Sequence, residues 1–535
     1  MSSTRSIPAS EDQEPPSLNV LPELISDATP MSDASLNPTP AQDFVEKEYF
    51  TSKSDSKGVS QLDLPFRPNT TTSILASKLE DQKRAVNSNN ISMNKILGHA
   101  LNPANAFFNS KPFEPSTEGP CFANSAQAFW YRQTSSRFSK MLEIASYSPH
   151  LSAQYLDFFN HSIIPAFGPI HSAEAKWKPN LTSTPSPLKL SWNLCGQDKV
   201  TPNQQIHFSF EPVGPFAGTD EDAFNQLVPR FFVSALAHSD ACPNLDLSLW
   251  HYFTTEFFVS RTDTQRISDL LPLNLYSPTC FLAFELSIHE YAMTLRPFLF
   301  PHKRALLDGK TSTETILSAI KRLHSSTFSV LPAIHKVESF LSAGKQVLKI
   351  SETTQSKIES DDTEMSIDML SFECVPFSQS PHVTLHLKTY DTSFSNIKRI
   401  YTLDGERPSP ESDTALALFQ QFWECLTGLE GEWRTSSEQT NSFLYFGLEI
   451  TPGREMPDIT IFVPAWTCGI SQSGVRERLR NFFEARGWVV GKEFEEMDEG
   501  LMHTYSRFKY NEVKGVEVTM CYSPVMEKFN EVVDI

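Results

Sequence analysis

The sequence predicts an α+β fold, a ten-stranded antiparallel β-barrel of repeated ααββ units with the helices outside. Two observations indicate it. Paired stretches along the chain alternate apolar and polar residues with a period of two, which is typical of strands with two different faces. Each pair follows stretches with a helical apolar period of 3.6, and this order recurs about five times. If the sheet closes, its polar face lines a lumen.

The first pair of strands shows the two faces most clearly. In "PLKLSWN" (187–193), Leu188, Leu190 and Trp192 share one face and Lys189 lies on the other. The next strand, "QIHFSFE" (205–211), places His207 on its polar face in the same way. In a lone hairpin such a polar face usually contacts solvent. The later strands carry cations and aromatic side chains at the same parity, which favours a lumen.

The repeated units define the predicted domain. Its helical stretches are 125–147, 151–167, 221–239, 245–260, 313–341, 413–429 and 474–488. The strands are 187–193, 205–211, 280–287, 291–301, 370–375, 382–391, 442–451, 458–466, 501–512 and 515–523. We therefore predict a single barrel domain over 101–535. The Ser- and Pro-rich residues 1–100 have few aromatic side chains and are expected to be a largely disordered extension.

The overall composition restricts the class of partner. A net charge of -19 and a pI near 5.2 argue against nucleic acid and against an anionic membrane surface. The eight cysteines form no CxxC or His/Cys cluster, so we expect reduced thiols in a cytoplasmic protein, without a disulfide framework or a zinc site. Neither a signal peptide nor a membrane span is predicted. Small-molecule partners are expected, and a homodimer stays open.

Cations and aromatic side chains share the polar faces of the predicted strands. The predicted lining is Lys189, His207, Arg296, His386, Lys388, Tyr390, Thr460, Phe462, Tyr505, Arg507, Lys509 and Cys521. Ionisation of an allylic diphosphate requires positive charge around the leaving group and an aromatic, water-free surround for the carbocation. The lining favours chemistry of that type.

Several segments carry a family resemblance. They are "QYLDFFNHSIIPAFGP", "HFSFEPVGPFAGTDEDAFN", "RPFLFPHKRALLDGK", "LKTYDTSF" with "TLDGE", and "HTYSRFKYNEVKG" with "YSP". In this order they resemble the fungal dimethylallyltryptophan-synthase type of aromatic prenyltransferase, over residues from about 104 to 527. The resemblance implies the PT-barrel (ABBA) fold. It also implies metal-independent transfer of a prenyl group from an allylic diphosphate to an aromatic acceptor in secondary metabolism, with no cofactor.

The resemblance also implies roles for individual residues. Prenyl-diphosphate binding falls on His207, Arg296, His386, Lys388 and Thr460, and the parity of Arg507 and Lys509 adds them to this set. The carbocation shield falls on Phe298, Tyr390, Phe462, Tyr505 and Cys521, and the acceptor site on Leu181 and Lys189. We expect Lys189, Arg296 and Lys388 to be the catalytic residues.

Lys189 departs from the family pattern. The resembling proteins usually carry there a Glu that accepts the indole N–H, and a Lys removes this acceptor and adds a donor. A phenolic or polyketide acceptor is therefore expected, with indole as the alternative, because Lys189 could stabilise a phenolate. A cation beside a forming carbocation must face an anion or be paired, and Glu449 is a candidate counter-ion.

Other functions stay open at this point. A metal-free terpenoid cyclase could use the same barrel, since the acceptor Glu is lost. A catalytically degenerate binding protein is a further alternative, because many lining positions are substituted. The stretch "SDDTE" (360–364) is similar to the aspartate-rich motif of metal-dependent terpene synthases, but it lies in a predicted polar loop, and we expect no magnesium site there.

Overall fold

The structure is a computed structural model of the chain. It describes residues 122–170, 175–182, 184, 186–268, 278–351, 365–407, 409–428, 443–465, 471–490, 494 and 500–526. The predicted extension 1–100 and the stretch "SDDTE" lie outside the described residues.

Ten antiparallel strands close into a barrel, as predicted. They are β1 (Leu188–Gly196), β2 (Asn203–Phe210), β3 (Cys280–Leu286), β4 (Met293–Leu299), β5 (Ser366–Phe372), β6 (Val383–Thr389), β7 (Leu444–Ile450), β8 (Asp458–Pro464), β9 (Leu501–Asn511) and β10 (Gly515–Pro524). Each strand pairs with its neighbours in sequence, and β1 pairs with β10 to close the sheet. Leu190, for example, lies opposite Tyr522.

Helices surround the barrel and connect its hairpins. They are α1 (Ser125–Ile144), α2 (Pro149–Phe158, continued by the π-helical turn Phe159–Ile163 and by Ile164–Ala166), α3 (Leu227–Leu236), α4 (Ser248–Phe257), α5 (Arg261–Ser268), α6 (His302–Asp308), α7 (Ser312–Leu323), α8 (Leu331–Ser351), α9 (Phe394–Thr402), α10 (Ser409–Thr427) and α11 (Gln472–Ala485). Side-chain caps fix several helix starts. In α7, Thr311 and Glu314 form a capping box.

The hydrophobic core lies between the helices and the outer face of the sheet. Leu188, Leu190 and Trp192 of β1 are buried there, as their parity predicts. Phe138 of α1 packs against Phe208 of β2 with ring centroids 5.5 Å apart. Because this face is apolar and covered, the other face of every strand is left to line the lumen.

The strand directions give the barrel two different ends. The connections β1–β2, β3–β4, β5–β6, β7–β8 and β9–β10 all lie at one end, called here the hairpin end. The long helical connections leave and enter the barrel at the opposite end, the helix end. The position of an inward-facing residue along its strand therefore says which end of the lumen it lines.

Several element boundaries differ from the sequence prediction, and the predicted helical stretch 313–341 is two helices, α7 and α8. Helix α3 begins at Leu227 instead of 221, because the Asp222 carboxylate accepts hydrogen bonds from the backbone N–H groups of Gln226 and Leu227 and stabilises a turn before the helix. Strand β5 begins at Ser366 and ends at Phe372, four residues earlier than predicted at its start, since pairing with β6 already begins at Ser366.

Two further properties concern the described residues only. Cys195, Cys242, Cys280, Cys374, Cys425 and Cys521 all have free thiols. Among the helices that the structure describes, none is long and apolar enough to cross a membrane.

Candidate active site

The barrel encloses a cavity of about 1590 Å³. The inward-facing residues of all ten strands line it, and it extends from the helix end to the turns of the hairpin end. All predicted site residues except Tyr390 are in its lining, namely Leu181, Lys189, His207, Arg296, Phe298, His386, Lys388, Thr460, Phe462, Tyr505, Arg507, Lys509 and Cys521. Strand parity thus places these side chains in one space.

Carboxylates line the hairpin end, and of these only Glu449 was expected from the sequence to take part in the site. Glu285, Glu373, Glu449 and Glu517 each lie within three residues of a hairpin connection and face the cavity. Each lies at the inward parity on or just beyond its own strand, β3, β5, β7 or β10, and none of these strands carries a predicted cation. That parity is the signal that could have identified them.

Arg296 is held by three of these carboxylates. Its Nη2 donates to Glu373 Oε1 at 2.7 Å, its Nε lies 3.1 Å from Glu285 Oε1, and its Nη1 lies 3.6 Å from Glu449 Oε2. Burial opposes the charge, but the carboxylates outweigh it and raise the pKa of Arg296. The prediction of Arg296 as a diphosphate-binding catalytic residue therefore does not fit its contacts, which are ion pairs within the protein.

Lys509 is similarly paired. Its Nζ donates to Glu449 Oε1 at 2.7 Å and lies 3.8 Å from Asp458 Oδ2. Burial raises the pKa of Glu449, yet Lys509 and Arg296 outweigh it and lower this pKa to about 2. The prediction that Glu449 is the counter-ion of Lys189 is wrong, because Glu449 lies at the hairpin end of β7 and Lys189 at the helix end of β1.

Three cations nearer the helix end have no carboxylate partner in the described part of the chain. Lys388 Nζ donates to Tyr390 Oη at 2.7 Å and lies 4.7 Å from the ring centroid of Phe443. The guanidinium of Arg507 lies 5.2 Å from the ring centroid of Phe462 and forms no ion pair with a described residue. The positive charges of Lys388 and Arg507 are therefore not paired with a described carboxylate at ion-pair distance.

Lys189 is the third of these cations. Its amino group lines the cavity and makes no hydrogen bond or ion pair with any residue that the structure describes. Desolvation inside the barrel lowers its pKa, and Arg507 lowers it further, whereas Cys521 acts in the opposite direction. A buried amine of this kind can exist in the neutral form or can take an anion as its partner.

The two histidines are neutral groups instead of the cations predicted. His386 is 3% exposed, and burial followed by Arg507 and Arg296 lowers its pKa to about 3. Its Nε2 lies 2.9 Å from Ser371 Oγ. Burial also lowers the pKa of His207, although Glu285 opposes this. Both side chains are therefore hydrogen-bonding groups at neutral pH.

Aromatic rings surround the middle of the cavity. The His386 ring lies 5.3 Å from the ring of Phe298 and 6.0 Å from that of Phe462, between centroids. Tyr390 is 38% exposed and follows the last residue of β6, so the prediction that it lines the lumen is wrong. Tyr445 of β7 lines the cavity instead, at the inward parity.

A segment at the helix end covers part of the opening. Residues 175–182, called here the strap, include Asn180, Leu181 and Thr182 of the cavity lining. Glu211 accepts hydrogen bonds from Trp177 Nε1 at 2.8 Å and from the backbone N–H of Asn180 at 2.7 Å. These bonds hold the strap, and with it the predicted acceptor residue Leu181, over the end of β2.

The two ends of the lumen differ in charge. The described residues also lack a cluster of side chains that could bind a metal ion. None of their His, Cys, Asp and Glu side chains form a group of three or more suited to a metal ion. The helix end combines unbalanced cations with aromatic rings, which suits an allylic diphosphate and its carbocation.

Comparison with known proteins gives the family. The sequence profile of the tryptophan dimethylallyltransferase family matches residues 126–497. The chain belongs to the tryptophan dimethylallyltransferase family. It is therefore an aromatic prenyltransferase of the dimethylallyltryptophan-synthase type, as the sequence predicts.

Individual relatives are distant but cover most of the prenyltransferase. The 7-dimethylallyltryptophan synthase of Aspergillus fumigatus is 25% identical over 75% of this chain and 85% of its own length. The tryptophan dimethylallyltransferase of Claviceps fusiformis is 23% identical over 74% of this chain and 88% of its own length. The crystal structure of AnaPT from Neosartorya fischeri has the same fold, with a TM-score of 0.62 and 19% identity over 75% of this chain and 95% of AnaPT.

Proposed function

We propose that this prenyltransferase transfers the prenyl group of an allylic diphosphate to an aromatic ring whose acidic oxygen lies against Lys189, that is, to a phenolic acceptor. The observation that carries the proposal is the unpartnered amino group of Lys189 in the lining of the cavity. The relatives named above act on tryptophan. Lys189 replaces the carboxylate that accepts the indole N–H in the resembling proteins, and an indole N–H is too weakly acidic to give its proton to an amine. This chain would therefore recognise its acceptor differently.

The diphosphate would bind between Lys388 and Arg507. Both lie in the lining, and within the described residues both lack a carboxylate that would compete with a phosphate. Thr460, His207 and His386 would add neutral hydrogen bonds to the phosphate oxygens. Arg296 and Lys509 would contribute little, because carboxylates already occupy their donors.

The transfer then follows from these positions. The allylic C–O bond breaks and its electron pair leaves with the diphosphate, whose growing charge Lys388 and Arg507 stabilise. Neutral Lys189 accepts the phenolic proton, so that the ring carbon next to the phenolate oxygen attacks the allyl cation. The C–C bond forms, the proton on that ring carbon leaves to the diphosphate, and Lys189 returns its proton to the phenolate oxygen. Phe298, Phe462 and Tyr505 would shield the cation from water, with Cys521 as a small neighbour.

Paired acceptors test the proposal. Dimethylallyl, geranyl and farnesyl diphosphates are each supplied with 4-ethylphenol or 3-ethylindole, and prenylated product is measured. We expect the phenol to be preferred, and we expect Lys189→Met to lower kcat/KM for the phenol at least about tenfold while the KM for the diphosphate changes little. Lys310→Met, at an exposed lysine outside the lumen, is the matched control.

Four outcomes would contradict the proposal. Efficient prenylation of the indole with an inactive phenol would remove the phenolic acceptor. Unchanged phenol kinetics in Lys189→Met would remove the lysine from the acceptor site. A hydrocarbon or terpene alcohol formed without any acceptor would show a cyclase, whereas binding of the diphosphate without turnover would show a degenerate binding protein.

A further inference from the structure

The hairpin end of the lumen carries more negative than positive charge. Five carboxylates line this end, namely Glu285, Glu290, Glu373, Glu449 and Glu517, against the three cations Arg296, Lys509 and Lys514. The pKa values of Glu285, Glu373 and Glu449 all lie below the ordinary value, since burial is outweighed by the cations, so these groups are ionised at neutral pH. Asp458 adds another carboxylate beside Lys509, and His382 beside Glu373 offsets one charge at most.

Glu517 is a carboxylate of this end that makes no direct contact with a described cation. It faces the cavity from β10, and within the described residues it forms neither a hydrogen bond nor an ion pair. Arg296 and Lys509 interact with the charge of Glu517 only at longer range, because their direct ion pairs are with other carboxylates. A partly buried carboxylate without a partner favours the binding of a positive charge.

A second polar group points to a ligand at the same end. Thr384 is the second residue of β6, lies opposite Glu449 in the strand pairing and lines the cavity. It is 6% exposed, and its hydroxyl is buried and makes no hydrogen bond among the described residues. Buried hydroxyl groups in proteins are nearly always hydrogen-bonded. A hydroxyl oxygen beside a carboxylate can accept a hydrogen bond from an ammonium group.

The charges at the two ends are complementary to two different groups. Nearer the helix end, Lys189, Lys388 and Arg507 form no ion pair with a described carboxylate, which suits an anionic diphosphate. The excess of carboxylates at the hairpin end would repel that diphosphate by the same electrostatics. A divalent ion is less suitable there, since the described carboxylates are not arranged as a metal-ligand group.

We propose that the hairpin end of the lumen is a subsite for a positively charged group of the acceptor, such as a protonated amine, bound by Glu517 and its neighbouring carboxylates and by the hydroxyl of Thr384. The proposal rests on the proposed function for the position of the acceptor ring near Lys189. Along β1, Lys189 is six residues from Cys195, which lies opposite Glu517. This is about 20 Å of backbone, and side chains that reach inward from both ends shorten the gap. An acceptor with a basic nitrogen several bonds from its ring would fit.

Four acceptors separate this inference from the proposed function. They are 4-ethylphenol and tyramine, which differ by an amine, and 3-ethylindole and tryptamine, which differ in the same way. Each is assayed at pH 7 with dimethylallyl diphosphate, and its dissociation constant is measured by calorimetry. We expect each amine to have a kcat/KM at least about tenfold above its neutral partner, or the equivalent tighter binding if turnover is slow. The phenol–indole comparison tests the acceptor ring independently.

Glu517→Gln is the decisive variant because it removes a charge without unpairing Arg296 or Lys509. We expect it to reduce the preference for the amine at least about threefold, with little effect on the neutral acceptors. Glu512→Gln, at an exposed residue of the β9–β10 turn, is the control and should keep the preference. Amines that bind no better than their neutral partners, or a preference that Glu517→Gln leaves unchanged, would overturn the subsite even if phenols remain the preferred acceptors.

Discussion

Replacing Arg296 by methionine should destabilise the barrel more than it slows the chemistry. The substitution keeps a long side chain but leaves three partly buried carboxylates without their shared cation. Removal of one partner from a buried ion pair costs about 3–5 kcal/mol. Arg296 is also one of the two main cations that lower the pKa of Glu449 to about 2, although Lys509 contributes the larger share and stays in the variant.

The pH dependence gives a second readout of the same effect. Because the pKa of Glu449 is depressed in the folded protein, its contribution to stability is present above about pH 4.5 and is lost as the pH falls towards 2. Glu285 and Glu373 have depressed pKa values as well and act in the same direction. Without Arg296 these pKa values move back towards normal. The difference between wild type and Arg296→Met should therefore be greatest at pH 7 and should shrink below pH 4.5.

The assay is urea unfolding followed by tryptophan fluorescence at pH 7 and at several lower pH values. Arg266→Met, which removes an exposed ion pair with Asp263, is the control and should change the free energy of unfolding by less than about 1 kcal/mol. The double variant Arg296→Met with Glu373→Gln should be less destabilised than the sum of its parts. An Arg296→Met protein with wild-type stability and greatly reduced turnover would refute this reasoning and return Arg296 to the diphosphate site.

Two further predictions concern the leaving group. Arg507→Met should lower turnover at least about tenfold with little loss of stability, whereas Lys509→Met should mainly lower the free energy of unfolding, because of these two cations only Lys509 forms an ion pair with Glu449. Circular dichroism checks the folding of both variants, and equal kinetic losses in the two would contradict this prediction. Release of diphosphate should continue in excess EDTA, because Lys388 and Arg507 supply the positive charge; activity that stops with EDTA and returns with magnesium would show a metal-dependent reaction.

The barrel could be predicted because its pattern is local and repeated. Alternation in ten short stretches gave both the strands and the face of each side chain, and parity placed residues as distant as Lys189 and Arg507 in one cavity. Tyr390 was misplaced since its parity is correct but it lies just beyond the end of β6, and strand ends depend on pairing with neighbours.

The electrostatics of the site could not be predicted in the same way. Parity shows that Arg296 and Glu449 face the same lumen, but it does not show that the arginine reaches across from β4 to β7. That contact depends on the stagger of the barrel and on side-chain conformation. The low pKa of His386 depends on burial by residues from several strands, which no single stretch of sequence records.

Closure of the barrel between β1 and β10 also affects how the chain folds during synthesis. Leu190 and its partner Tyr522 are about 330 residues apart. At translation rates of about 5–20 residues per second, β1 waits on the order of tens of seconds for β10 to leave the ribosome. During this time its edge is open to pairing with other nascent chains, and an inward-pointing charge is a known protection against such pairing. Lys189 lies in this unpaired edge strand. The lysine that would contact the acceptor would therefore also protect the nascent chain from aggregation.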